Sequence, residues 1–99
     1  NLDEIAAVEG IDVIHIGAND LLVSMGKPGR FDDPAILDAQ QRVIEAARRH
    51  GKFAGCGGIR DPKRQAEVIG RGVRFVTTQA DSAFLGGAAR QWVDTVRGD

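Results

Sequence analysis

Three short apolar runs, each leading into a helical pattern, restrict what this chain can fold into more than any other feature. The runs are Ile11–Ile16, Lys52–Cys56 and Val73–Thr78. Their length and β-branched content favour strands over helices. A helix over Asn1–Val8, capped by Asn1, precedes the first run, with Asp3 and Glu4 at its positive end and Gly10 closing it. Asp33-Pro34 and Asp61-Pro62 each place a capping residue before a proline at the first helical position. The first of these helices closes at Gly51 and the second through Gly70 and Gly72. Ile36, Val43, Ile44 and Ala47 form the buried stripe of the longer one. A last helix, capped by Asp81 or Ser82, carries the stripe Leu85, Ala88, Ala89, Trp92, Val93 and Val96. The order helix–strand–helix–strand–helix–strand–helix predicts a parallel sheet with right-handed crossovers. The near-continuous apolar character of the first run suits a strand covered on both faces. Three strands do not close a barrel, so the chain reads as part of one.

The first run stops at Gly17, and Ala18-Asn19-Asp20 then sets a carboxylate just past the strand's carboxyl end. In α/β folds ligands bind at that edge, where the loops form a crevice. Asp20 is therefore the leading candidate for a site residue, although an Asp after a strand is often only a turn residue or cap. Leu21–Met25 suits a short helical turn and Gly26–Arg30 an exposed loop. His15, within the strand, is expected to be a packed or hydrogen-bonded residue. Cys56 is expected to be a small buried apolar residue, since nothing beside it in sequence would lower its pKa. Arg48-Arg49-His50 reads as the dipole-complementing end of a helix. Trp92 reads as packing.

Composition narrows the function classes. Of 99 residues 42% are hydrophobic, and 13 Lys and Arg stand against 14 Asp and Glu, which suits one modest globular domain. A formal charge of -1 leaves no electrostatic footprint for nucleic acid or an anionic membrane. No apolar run approaches the roughly 20 residues that span a bilayer. The single cysteine cannot form an intrachain disulfide, which fits a cytoplasmic location. The chain begins at Asn1 and its one methionine is Met25, so it is expected to be a piece of a longer protein.

Residues 1–26, NLDEIAAVEGIDVIHIGANDLLVSMG, followed by a helix, a strand ending in glycines and Gly72-Val73-Arg74-Phe75-Val76, resemble the HpcH/HpaI family of class II aldolases. The most specific part is Gly17, Asp20, Leu21, Ser24 and Gly26. The resemblance spans the whole chain and implies a (β/α)8 TIM barrel, with residues 1–99 as its last three strand–helix units. The implied reaction is divalent-metal-dependent cleavage of 4-hydroxy-2-oxo acids to pyruvate and an aldehyde, or the reverse addition. A metal-ligand role carries over to Asp20, toward Mg²⁺, Mn²⁺ or Co²⁺. Binding of the pyruvate carboxylate carries over to the backbone of Gly17, Ala18 and Asn19. The family's second metal carboxylate, its His-Asp acid/base pair and its carboxylate-binding Arg lie upstream of Asn1. No catalytic residue is therefore assigned here, and the fragment alone is expected to be inactive. Two positions depart from the family: Ala18 stands where Pro is usual, and Leu22 where Ser is frequent. The resemblance also implies a homo-oligomer contacted through the final helix, and leaves citrate-lyase-like cleavage of an acyl-CoA ester open.

Two other readings compete. Gly57-Gly58 running into a helix resembles the turn with which phosphate-binding barrels cradle phosphate, although Asp81 at the next turn would repel it. A small non-enzymatic flavodoxin-like domain is the second, but it would need about five strands.

Overall fold

The structure, a computed structural model, describes all residues 1–99. Three parallel strands, β1 (Val13–Gly17), β2 (Phe53–Gly57) and β3 (Phe75–Val76), lie side by side in chain order. Val13 pairs with Phe53, His15 with Gly55 and Gly17 with Gly57, while Gly55 and Cys56 pair with Phe75 and Val76. The helices are α1 (Leu2–Ala6), α2 (Ala18–Ser24), α3 (Pro34–Arg49), α4 (Pro62–Arg71) and α5 (Asp81–Arg97). The third strand is shorter than the expected Val73–Thr78. Val73 is instead buried in the core, and Arg74 N–H donates to Ala54 O just ahead of the regular ladder.

The two proline-led starts form as their residues require. Asp33 accepts from Ala35 N–H at 2.8 Å ahead of α3, and Asp61 accepts from Lys63 N–H at 2.9 Å ahead of α4. Elsewhere the caps differ: Asn1 makes no side-chain cap bond, and Ala80, rather than Asp81 or Ser82, is the N-cap of α5. The Ala35 N–H and then the Lys27 ammonium, 3.1 Å away, hold the Asp33 carboxyl below its ordinary pKa. A depressed folded pKa adds stability that is complete above the unfolded value of about 3.9 and is lost as pH falls through the folded value. Asp33→Asn keeps a capping acceptor but removes the titration. Wild type should melt higher than this variant at pH 6, and the gap should close as the pH drops below about 4. A gap unchanged at pH 3 would contradict the ion-pair account.

One face of the sheet carries the core. Ile16, Ala54 and Cys56 meet Leu22 of α2, Ile36, Ile44 and Ala47 of α3, and Val68 of α4. Val43, expected in the stripe, is half-buried against the core, and Gln40, not expected there, is 2% exposed. Its amide is satisfied at both ends, accepting from Arg71 Nη1 at 2.8 Å and donating toward Cys56 Sγ at 3.9 Å. The opposite face, with His15, Phe53 and Phe75, is uncovered within this chain, and Phe53 and Phe75 are 58% and 52% exposed. This corrects the expectation of a first strand covered on both sides. The cause is topological: the strand order never reverses, so α3 and α4 fall on one side. A doubly wound domain reverses and places helices on both faces, which removes the flavodoxin-like reading. A singly wound sheet with one bare face is a sector of a barrel wall, whose inner face other strands enclose.

The apolar stripe of the last helix, open in sequence to an intrachain or an intersubunit contact, finds no cover within this chain. None of its residues is buried, and Leu85 and Trp92 are each 75% exposed. The radius of gyration is 16.4 Å, against about 13 Å for a compact chain of this length, because α5 does not fold back. Trp92 is therefore no part of this chain's core. No helix is long and apolar enough to cross a membrane.

Candidate active site

The first strand runs straight into α2, with Gly17 as N-cap and Ala18, Asn19 and Asp20 in the first turn. Sequence reading placed these three residues in a loop and began the helical turn at Leu21. The helix starts early without a Ser, Thr, Asp or Asn cap, so the usual start signal is missing. Ala18 is buried, Gly17 half-buried, and Asn19 and Asp20 exposed. The N–H groups of a first helical turn have no acceptor within the helix, so they face outward as donors. Asp20 takes part in none of the chain's ion pairs. A Cβ on Gly17 would meet Asp20 Oδ2 at 3.4 Å, so the carboxylate leans back over the strand end, toward the bare face of the sheet.

That face is built from glycines at the level of the site. Gly17, Gly57 and Thr77 lie side by side there, with Thr77 N–H donating to Cys56 O at 3.3 Å. The space above β2 is taken by His15: a Cβ on Gly55 would fall 2.5 Å from its Nδ1, and one on Gly57 would fall 2.7 Å from its Nε2. The imidazole meets Phe75 edge to face, with centroids 5.8 Å apart at 83°. His15 is thus exposed on the bare face, packed against Phe75 and the glycines of β2 and outside the core. Cys56 is buried as expected, and burial pushes its thiol pKa up, against the Gln40 hydrogen bond that lowers it. It is a poor nucleophile.

Gly58, whose one signal in the sequence is its place in a glycine pair, sits against the Asp20 turn. It has φ +83°, and a Cβ there would lie 2.9 Å from Asn19 N and 3.2 Å from Asn19 Cβ. Positive φ and close backbone approach both call for glycine. The phosphate reading of this turn loses support from α4. Pro62, its first residue, has no N–H, and Lys63 N–H already donates to the Asp61 side chain. A helix start so occupied has little left to offer an anion.

A hard divalent cation accepts carboxylate oxygen, and the unpaired Asp20 carboxylate is such a donor. The chain supplies no cluster of three or more His, Cys, Asp or Glu able to hold a metal. Asp20 therefore fits as one ligand of a shared site and not as a site by itself.

The sequence profile of HpcH/HpaI aldolase/citrate lyase matches residues 1–85. The 4-hydroxy-4-methyl-2-oxoglutarate aldolase of Chaetomium globosum is 42% identical over 91 residues, covering 90% of this chain and 34% of that protein. A hydroxypyruvate/pyruvate aldolase of Rhizorhabdus wittichii is 36% identical over 103 aligned positions, covering 98% of this chain and 39% of that protein. The crystal structure of an HpcH/HpaI aldolase/citrate lyase family protein from Burkholderia cenocepacia superposes with a TM-score of 0.88 at 31% identity, over 97% of this chain and 37% of that one. The chain spans about a third of the length of the relatives it matches.

Proposed function

The chain belongs to the HpcH/HpaI aldolase/citrate lyase family, and on that premise we propose that it supplies one metal carboxylate and the pyruvate-binding turn of a divalent-metal aldolase. The parent enzyme cleaves 4-hydroxy-2-oxo acids to pyruvate and an aldehyde, and residues 1–99 form the last three strand–helix units of its barrel. The observation that carries this reading is the unpaired Asp20 carboxylate at the C-terminal edge of a parallel sheet, one helical turn beyond Gly17. The names of the relatives, aldolases of a hydroxylated oxo acid and of pyruvate, support the substrate class.

Each part of the turn has a task. Asp20 holds the cation, and the backbone N–H groups at Gly17, Ala18 and Asn19 take the pyruvate carboxylate. A bound divalent cation supplies Lewis-acid polarisation of the keto oxygen and neutralises the charge that develops there. In cleavage the C3–C4 bond breaks, its electron pair passes to the pyruvate half, and the C4 hydroxyl proton leaves to a base. No histidine of this chain lies in the strand-end loops: His15 is within β1, and His50 is at the far end of α3, 3.1 Å from Asp3. We assign no proton-transfer role to this chain. The exposed apolar side of α5, with Leu85, Trp92 and Val96, supports a second subunit as its cover.

The test is pyruvate release from a 4-hydroxy-2-oxo acid by the complete protein, before and after metal removal. Activity should vanish with chelator and return with Mg²⁺, Mn²⁺ or Co²⁺. Release that is indifferent to chelator would sink the metal role.

A further inference from the structure

One side chain of α4 grips both loops that follow β2 and β3. Gln65 Nε2 donates to Ile59 O and, at 2.7 Å, to Thr78 O. Since α4 packs on the face of the sheet that carries the core, both carbonyls are drawn toward that face. Every peptide bond of the chain is trans, and in a trans peptide the N–H points opposite to the C=O of the same plane. The N–H groups of Arg60 and Gln79 complete these two peptides. They are therefore turned the other way, toward the side on which Asp20 leans.

Neither N–H is spent within the chain. Both residues lie outside the helices and strands, and neither N–H donates to a backbone acceptor. The N–H groups of these loops that reach side chains are instead those of Lys63, Ala80 and Ser82. Those bonds hold the Asp61 and Asp81 carboxylates at their own helix starts. Arg60 and Gln79 line an open cavity of about 230 Å³ between the two loops, together with Gly58, Thr77 and Thr78. Gly58 also abuts Asn19 N, so cavity and Asp20 turn share a wall that carries no side chain. Two peptide donors entering one cavity from two loops suit a single oxygen, whose lone pairs accept both.

We propose that the N–H groups of Arg60 and Gln79, aimed by Gln65, hold the C4 oxygen of the substrate. The inference rests on the aldolase reading and adds to it a place for the reacting oxygen. With the pyruvate half at the Gly17–Asn19 turn, the atoms that pass Gly58 are C3 and C4 with its hydroxyl. In cleavage the hydroxyl proton leaves to water or a base, and the alkoxide closes to the aldehyde C=O. The C3–C4 pair then passes to the pyruvate enolate, which takes a proton at C3. In addition the enolate carbon attacks, the C=O pair moves onto oxygen, and that alkoxide takes up a proton. Fixed N–H donors stabilise the alkoxide in either direction. Gln65 touches no substrate and is a positioning residue.

The experiment uses the complete, metal-loaded enzyme and 4-hydroxy-2-oxopentanoate. Gln65→Leu frees both carbonyls and should lower kcat by about tenfold to a hundredfold. Mn²⁺ affinity by calorimetry and the inhibition constant of pyruvate should stay within about twofold of wild type, since neither involves a C4 oxygen. Gln65→Lys still offers donors and should keep a larger share of kcat than Gln65→Leu. Wild type itself should bind 2-oxopentanoate, which lacks the C4 oxygen, roughly tenfold more weakly than the hydroxylated substrate. Equal binding of the two would overturn the oxygen site even if no Gln65 variant folds. An unchanged kcat in Gln65→Leu would overturn it too. So would Mn²⁺ affinity or pyruvate inhibition falling in step with kcat, which would put Gln65 behind the metal turn. In these cases the aldolase reading would stand. No cleavage by wild type with any metal would overturn that reading and this site with it.

Discussion

Asp20→Asn should cut kcat/KM for pyruvate release by at least about a hundredfold while leaving the protein folded. The two halves of this expectation have separate causes. Asparagine is nearly the size of aspartate, and Asp20 is exposed and in no ion pair, so its replacement opens no cavity and orphans no partner. What the fold loses is a negative charge in the first turn of α2, worth roughly 0.3–1 kcal/mol against the helix dipole. What the site loses is an anionic oxygen. Mg²⁺ is commonly held by only one or two protein carboxylates, so removing one removes a large share of the protein's hold. Calorimetric titration of Mn²⁺ into the variant should show weakened binding alongside the lost activity, with an almost unchanged melting temperature. A variant that binds Mn²⁺ and turns over like wild type would exclude Asp20 as a ligand.

The parts of the fold that were legible in the sequence are those fixed by neighbouring residues. Asp33-Pro34 and Asp61-Pro62 start helices because cap and proline act within one turn, and both caps formed. Cys56 is buried as its apolar neighbours suggested. What was not legible is what lies across from a residue. Phe53, Phe75, Leu85 and Trp92 are apolar at strand or helix spacing, and that spacing marks surface to be covered without naming the cover. Within this chain nothing covers them, since one face of the sheet is bare and α5 stands away from it. Gln40 was missed for the converse reason. A glutamine looks like solvent-facing surface until Arg71 and Cys56 are brought to its two ends by the packing of α4 and β2.

Gly58→Ala should cost activity about tenfold to a hundredfold, and Gly10→Ala should cost none, although both substitutions strain the backbone alike. Gly10 has φ +90° with nothing within 4 Å of an added Cβ, and Gly58 has φ +83° with Asn19 N at 2.9 Å. Forcing a non-glycine residue into positive φ costs on the order of 1–3 kcal/mol at either place, so both variants should melt several degrees lower. The difference lies in what the new methyl meets. At Gly10 it enters open space. At Gly58 it presses on main-chain atoms of Asn19, which cannot swing aside as a side-chain tip would, and the first turn of α2 must shift. That shift moves Asn19 and the adjacent Asp20 together, and a displacement near 1 Å at reacting groups is enough to lose about two orders of magnitude in rate. Both variants are measured on the same 4-hydroxy-2-oxo acid. If Gly58→Ala melts like Gly10→Ala and also keeps wild-type kcat/KM, the strand-end turn does not depend on the contact between Gly58 and Asn19. If it alone loses activity and Mn²⁺ affinity, β2 sets the position of the metal carboxylate that β1 carries.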